Sequence, residues 1–312
     1  MTKDFRQIVW DEAVEDDCRH LVRLAVREDL DRAYDWTTIA LVAHEVQGQA
    51  AVVARQAGVI AGLNAARIVF DEMAPSVTWQ PLVPEGAKVE AGDVIAQVIG
   101  PARNLLTCER IVLNFIGRLS GIATLTARFV AAAAGTQARI YDTRKTTPGW
   151  RRLEKFAVRC GGGFNHRTGL FDAVLIKDNH LALGAESAEG HFTPAEAVVR
   201  ARSFVRGMLA DSGAGELMIE IEVDSLEQLE QVLPAEPEIV LLDNMSLGEL
   251  ESAVRLRNSL APTVQLEASG GVRLEAVSQI AATGVERIST GALTHSAIAL
   301  DVALDWRIPP LD

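Results

Sequence analysis

Six short apolar runs between residues 139 and 289 alternate with longer amphipathic stretches, and this alternation limits the available folds more than any other feature. The runs predict strands at 139–143, 173–177, 217–223, 239–243, 264–268 and 287–289. Helices are predicted near 149–160, 194–209, 225–233, 246–260 and 272–283. Repeated βα units with buried strands call for a parallel sheet covered by helices, closed into a barrel or doubly wound. Six strands, with room for one more unseen, favour an eight-fold-like or incomplete barrel. Loops 184–192 and 210–215, rich in Gly, Ala, Ser and Glu, read as surface insertions.

The residues before 139 read differently. A helix is predicted over 11–30 and another over 62–73, with short strands broken by turns in 48–60 and 82–99. These make a small α+β unit. Residues 102–134 read as one or two helices, with Gly117 and Gly121 as points where the pattern bends or ends.

Nearly every predicted strand of the second half runs into polar residues. They are Asp142-Thr143-Arg144-Lys145, Lys177-Asp178-Asn179-His180, Glu222 with Asp224, Asp243-Asn244, Ser269-Gly270-Gly271 after Glu267, and Ser289-Thr290-Gly291. Capping of the next helix explains an Asp or Asn at one such place. Six in succession point to an active site built at the C-terminal ends of barrel strands.

Charge narrows the ligand. The 312-residue chain carries a net charge of -12, which argues against a general nucleic-acid binder. Between Arg139 and Lys177, however, nine Lys/Arg face three acids. A solvated helix face explains some of Arg151, Arg152 and Lys155. Arg144, Lys145, Arg167 and Lys177 fall at strand ends or beside a glycine run and suit an anionic small molecule. His166 follows Gly161-Gly162-Gly163-Phe164-Asn165 and is read as ligand-facing with Arg167.

Glu220, Glu222 and Asp224 share one face of a strand, which in a barrel is the interior. Buried acids need cationic partners or a metal. Glu220 reads as a structural salt bridge, whereas the carboxylates with Asp243 suit a hydrated Mg²⁺ held through oxygen. The small residues at 269–271 and 290–292 let backbone N–H groups approach a phosphate.

Hydrophobic residues make up 48% of the chain and charged residues 23%, enough to bury a core. No apolar run approaches the ~20 residues a membrane helix needs, and the acidic N-terminus lacks a signal-peptide core, so the expected location is cytoplasmic, with no membrane partner. Cys18, Cys108 and Cys160 are too scattered for a disulfide framework or a thiolate zinc site.

The motifs DTRKTTPG at 142–149, LEK at 153–155, GGGFNHR at 161–167 and DAVLIKDNH at 172–180 resemble the quinolinate phosphoribosyltransferases. The likeness continues through EIEVDSLEQL at 220–229, LLDN at 241–244, EASGG at 267–271 and GALTHS at 291–296, and upstream through CERIVLNFIGRLSGIAT at 108–124. It implies an α/β fold: an incomplete, seven-stranded β/α barrel over 119–294 and an N-terminal α/β-sandwich domain over 1–118, joined by 295–312. It implies a reaction of quinolinate with 5-phosphoribosyl-1-pyrophosphate (PRPP) and Mg²⁺, in homodimers or hexamers whose sites are shared between subunits.

Carried over by motif, quinolinate would be held by Thr143, Arg144, His166, Arg167 and Lys177, with Lys145 between the two substrates. Arg110 would come from the neighbouring subunit. Glu222 and Asp243 would face the ribose and the Mg-pyrophosphate, and Ser269, Gly270, Gly271, Thr290, Gly291 and Ala292 the 5-phosphate. Lys145, Lys177, Glu222 and Asp243 form the catalytic set. The stretch EDLDRAYDWTT at 28–38 lacks the family's usual glycine, and the two predicted insertions exceed the family's length. Rival readings are a related phosphoribosyltransferase-like protein of molybdenum uptake, which the intact IKDNH argues against, and a non-catalytic scaffold.

Overall fold

A computed structural model describes residues 4–184, 193–209 and 217–306. The predicted insertions 184–192 and 210–215 lie, save Gly184, outside the described residues.

In chain order the elements are α1 (Glu12–Leu30), α2 (Trp36–Leu41), β1 (Gln47–Ala54), β2 (Gly58–Val59), α3 (Leu63–Met73), β3 (Thr78–Pro81), β4 (Lys88–Val89), β5 (Val94–Pro101) and α4 (Ala102–Ala132). There follow β6 (Arg139–Tyr141), α5 (Arg151–Cys160), β7 (Val174–Ile176), α6 (Asp178–Leu183), α7 (Pro194–Leu209), β8 (Ile219–Val223), α8 (Leu226–Val232), β9 (Ile239–Asp243) and α9 (Leu247–Leu260). The last are β10 (Gln265–Ser269), α10 (Val277–Ala282), β11 (Arg287–Ser289), α11 (Ala292–His295) and β12 (Val302–Trp306). They group into two compact units. One comprises residues 1–7, 128–144 and 164–292, the other 8–127, 145–163 and 293–312.

The first unit is built on a six-stranded sheet in the order β6-β11-β10-β9-β8-β7, with every neighbouring pair parallel. The order from β7 to β11 never reverses, and the first strand, β6, pairs with the last, β11. That is the winding of a barrel rather than of a doubly wound sheet. On its other side, among the described residues, β6 pairs only with Phe164, in a single parallel bridge to Tyr141. The seventh strand of the resemblance is thus reduced to one residue of the GGGFNHR segment, and the barrel is incomplete. Ile219, Ile221 and Val223 alternate with Glu220 and Glu222 along β8, giving one aliphatic and one acidic face. Phe5 packs with Ala173, Met218 and Ile239, at or beside the starts of β7, β8 and β9, and so closes the N-terminal end of the strands.

The second unit carries an antiparallel sheet, β12-β1-β5-β3, and the two-stranded β2-β4. β12 lies along β1 with Ala50 opposite Trp306 and Ala54 opposite Val302. Neither β3 nor β12 is legible in the sequence. β3 is a largely exposed edge strand ending in Pro81, and the stretch holding β12 has no alternation strong enough to mark it. α1 and α3 pack on each other.

α4 is one continuous helix of 31 residues, neither bent off nor ended at its glycines. A Cβ on Gly121 would lie 2.1 Å from the carbonyl oxygen of Ile298, and one on Gly117 3.0 Å from that of Leu300. The Leu300 N–H donates to the Gly117 carbonyl at 2.9 Å. The glycines therefore seat the returning chain against the helix. By length and composition α4 passes as a membrane span, contrary to the sequence reading. Its most apolar stretch is 56% buried within the fold, as in a core helix.

Candidate active site

A parallel sheet places all its C-terminal strand ends on one rim, so the first unit gathers Thr143 and Arg144 after β6, Lys177 after β7, Glu222 on β8, Asp243 on β9, Ser269 on β10 and Thr290 after β11. The rim is held by hydrogen bonds between neighbouring ends. Asp142 is fully buried and accepts from Asn165 Nδ2 (2.6 Å) and the His166 N–H (2.9 Å), fastening the Phe164 segment to β6. The Thr290 N–H donates to the Tyr141 carbonyl at 3.0 Å, tying β11 to β6.

Arg167 is 7% exposed. Its Nη1 makes one long hydrogen bond to the Ala173 carbonyl (3.4 Å), and its Nε is buried without a partner among the described residues. Burial and the nearby Arg144 guanidinium push its pKa below the ordinary arginine value. Two cations are thus gathered in a partly dry place, a disposition that favours an anionic ligand with more than one charge.

Lys177 Nζ is ion-paired with Glu222 Oε2 across β7 and β8, so two of the residues assigned to different substrates meet each other. The Lys177 N–H donates to His180 Nδ1 at 2.9 Å, which gives the histidine of IKDNH a place in shaping this strand end. Asp243 Oδ2 accepts from Asn244 Nδ2 at 2.8 Å. Asn244 itself has a φ of 55°, and its N–H donates to the Ser269 carbonyl at 2.9 Å. Gly270, at φ 92°, is required here, because a Cβ would lie 2.3 Å from Asn244 Oδ1. Asn244 thereby joins the aspartate end to the glycine turn. Sequence reasoning marks it only as a strand-end residue. An Asn following a strand-ending Asp is the available signal, since Asn tolerates positive φ.

Gly271 also has positive φ (57°). At the last strand end the Thr290 hydroxyl donates to the Val272 carbonyl (3.1 Å) and accepts from the Ala292 N–H (3.2 Å). Thr290 and Gly291 are buried, and Ala292 is half-buried.

His166 lies in a deeper layer. Its ring stacks on Phe5 at 4.3 Å, Nδ1 accepts from the Arg167 N–H at 2.8 Å, and Nε2 is 2.9 Å from Glu220 Oε2 and 3.5 Å from Glu267 Oε1. Both ring nitrogens thus face protein groups, which differs from the ligand-facing ring expected from sequence. Glu267 receives Arg287 Nε at 2.8 Å, and Arg287 lies 3.6 Å over the Tyr141 ring and also donates to Asp4 (2.9 Å). Burial opposes ionisation of Glu267, but His166 and Arg287 outweigh it and lower its pKa. His166, Glu220 and Glu267 form a buried group with metal-type donors within 4.8 Å of one another, with Arg287 supplying positive charge at Glu267. Glu220 is the buried structural acid that the sequence suggested.

In the second unit, Lys145 is exposed and follows Arg144 directly. Arg110 is exposed on α4, and among the described residues its guanidinium has neither an ion pair nor a hydrogen bond. Burial pushes the Cys18 and Cys108 thiols up to about 12 and raises that of Cys160, so none is an activated nucleophile. A cavity of about 310 Å³ between α1, α3 and α4, lined by Arg23, Met73 and Cys108 among others, contains none of the sequence-predicted site residues.

The family models for the quinolinate phosphoribosyl transferase N-terminal and C-terminal domains match residues 35–120 and 122–305. The chain belongs to the quinolinate phosphoribosyltransferase family. It is 46% identical over 292 residues to the nicotinate-nucleotide pyrophosphorylase (carboxylating) of Mycobacterium leprae, covering 93% of this chain and 97% of that protein. A probable nicotinate-nucleotide pyrophosphorylase (carboxylating) of Synechocystis is 41% identical over 277 residues, 89% of this chain and 88% of its own. Among solved structures, the nicotinate-nucleotide pyrophosphorylase of Francisella tularensis superposes with a TM-score of 0.85 at 35% identity, covering 97% of this chain and all of that one. The chain is an enzyme of this pentosyltransferase family, and its incomplete barrel with a separate antiparallel unit is the family's fold.

Proposed function

We propose that this enzyme joins quinolinate to PRPP, releasing pyrophosphate and CO₂ and forming nicotinate mononucleotide. The observation that carries the quinolinate assignment is Arg167, a buried cation beside Arg144 with no carboxylate paired to it among the described residues. A pyridine dicarboxylate supplies the missing charges. Loss of pyrophosphate leaves positive charge at the ribose C1, the pyridine nitrogen bonds there, the cationic ring stabilises the electron pair left at C2 as CO₂ departs, and C2 then takes up a proton from solvent. No protein nucleophile is required, and the protein's part is positioning and electrostatics.

In this reading Thr143, Arg144, His166, Arg167 and Lys177 surround quinolinate, with His166 acting through the order it imposes on Arg167. Lys145 lies between the substrates. The backbone at Ser269, Gly270, Gly271, Thr290, Gly291 and Ala292 receives the 5-phosphate. Glu222 and Asp243 fit a Mg²⁺ that arrives with PRPP. Each engages one carboxylate oxygen with a neighbour, Lys177 or Asn244, and the other oxygen of each has no partner among the described residues. The ion would neutralise charge on the departing pyrophosphate.

Incubation with quinolinate, PRPP and Mg²⁺, following CO₂ and pyrophosphate together, tests the reaction. Equimolar release that stops in excess chelator is expected. Turnover of nicotinate at a comparable kcat/KM would overturn the dicarboxylate reading.

Arg110, exposed and without an ion pair among the described residues, supports a site completed by a second subunit. Arg110→Ala and Lys177→Ala, each nearly inactive, should recover toward about a quarter of wild-type activity when mixed and allowed to exchange as dimers. No recovery despite subunit exchange verified by mass spectrometry would remove Arg110 from a shared site.

A further inference from the structure

The residue between the proposed substrates, Lys145, is a long side chain on an exposed loop, so something must fix where its stem begins. Its backbone carbonyl accepts from the Thr294 hydroxyl at 2.8 Å, and Thr294 is fully buried. The carbonyl of Thr294 accepts in turn from Arg118 Nη2 at 2.6 Å. The same guanidinium reaches the fully buried Glu154 through Nη2 (2.6 Å) and Nε (3.2 Å) and the Ala297 carbonyl through Nη1 (3.1 Å). Glu154 closes the circuit, because it accepts from the N–H (3.1 Å) and hydroxyl (2.8 Å) of Thr147, two residues beyond Lys145.

All of these groups belong to one compact unit. The relay thus grips the loop at the Lys145 carbonyl and at Thr147, while Arg151 Nε donates separately to the Thr146 hydroxyl between them (3.1 Å). The two grips share one ion pair, in which Glu154 is fully buried and Arg118 half-buried. Such a pair is costly to assemble and poor as a source of stability alone, but it defines a geometry sharply.

We propose that Thr294, Glu154 and Arg118 are positioning residues for Lys145, holding its backbone so that the ammonium meets the substrates in one place. The inference rests on the assignment of Lys145 to the substrates. The relay touches neither substrate and acts only through this loop.

Steady-state kinetics of Thr294→Val, Thr294→Ser, Glu154→Gln and Lys145→Ala, well below each variant's melting temperature, test it. Thr294→Val and Glu154→Gln should lower kcat by about 10- to 100-fold, the scale of an ångström-sized misplacement, with KM for both substrates within about twofold. Thr294→Ser restores the donor and should restore kcat. In the Lys145→Ala background, Thr294→Val should cause no further loss. Lys145→Ala at wild-type kcat would overturn the Lys145 assignment itself. A low kcat for Lys145→Ala with wild-type kcat for Thr294→Val would overturn the relay alone. So would a full further loss in the double variant, which marks a general structural effect. Because Thr294→Ser keeps the native donor, its recovery remains readable if Glu154→Gln fails to fold.

Discussion

The ammonium of Lys177, at the end of β7, rests on the carboxylate of Glu222, on the adjacent β8. These groups are assigned to opposite halves of the reaction, quinolinate and the PRPP-borne metal. Their contact makes each the other's counter-charge until substrates arrive, so a ligand at one alters the charge balance at the other.

Lys177→Met and Glu222→Gln should therefore be non-additive. Each is expected to lower kcat/KM, and the double variant should fall short of the product of the two losses by about 1 kcal/mol or more. The measurement is a double-mutant cycle with quinolinate and PRPP varied in turn. Strictly multiplicative losses would mean that the pair plays no part in the working enzyme.

Arg167 and Arg152 separate a binding cation from a surface one. Arg152 is half-exposed and pairs with Asp17 at 2.8 Å, an interaction of about 0–1 kcal/mol. Arg167→Ala should raise KM for quinolinate and cost about 2–4 kcal/mol in kcat/KM, the scale for stranding a desolvated charge on its ligand. Arg152→Ala should leave both parameters near wild type. Equal losses at the two positions would sink the pocket.

Asp31 stands in the 28–38 stretch that lacks the family's usual glycine, and its backbone has φ 46° and ψ −107° at the C-terminal cap of α1. A side chain there is strained by about 1 kcal/mol relative to glycine. Asp31→Gly should raise the melting temperature by about 2 °C, and Asp31→Val should lower it. A lower melting temperature for Asp31→Gly would show that the aspartate side chain contributes more than its backbone costs.

Asp35 gives a pH-dependent cap. It accepts from the Thr38 N–H at the start of α2 (3.0 Å) and from the Thr107 hydroxyl (3.2 Å). Hydrogen bonds from Thr38, side chain first and then backbone, hold its pKa below the ordinary aspartate value. Its stabilisation is thus present above about pH 4, the unfolded-state value, and is lost as pH falls through the lower folded value. The Thr38 amide should exchange faster in Asp35→Ala than in wild type by about 1 kcal/mol of protection near neutrality. That difference should shrink in acid. A difference that grows on acidification would contradict the sign.

All six predicted strands of the barrel form, and the helices between them lie close to their expected places. These features follow from local periodicity and side-chain type, which a linear reading captures, and a parallel sheet then obliges the polar strand ends to share a rim. What a linear reading could not supply depends on partners far away in the chain. Gly117 and Gly121 look like helix breakers in the sequence, yet the backbone at 298–300 needs their space. His166 looks ligand-facing beside Arg167, but Phe5 lies against its ring, and Glu220 on β8 and Glu267 on β10 face its Nε2. β12 has no strong pattern of its own and is a strand because β1 offers it an edge. Local sequence sets which element a segment forms and which residues reach its end. Which groups then neutralise, cover or hold one another is set by long-range packing, because burial and charge pairing are properties of neighbours in space.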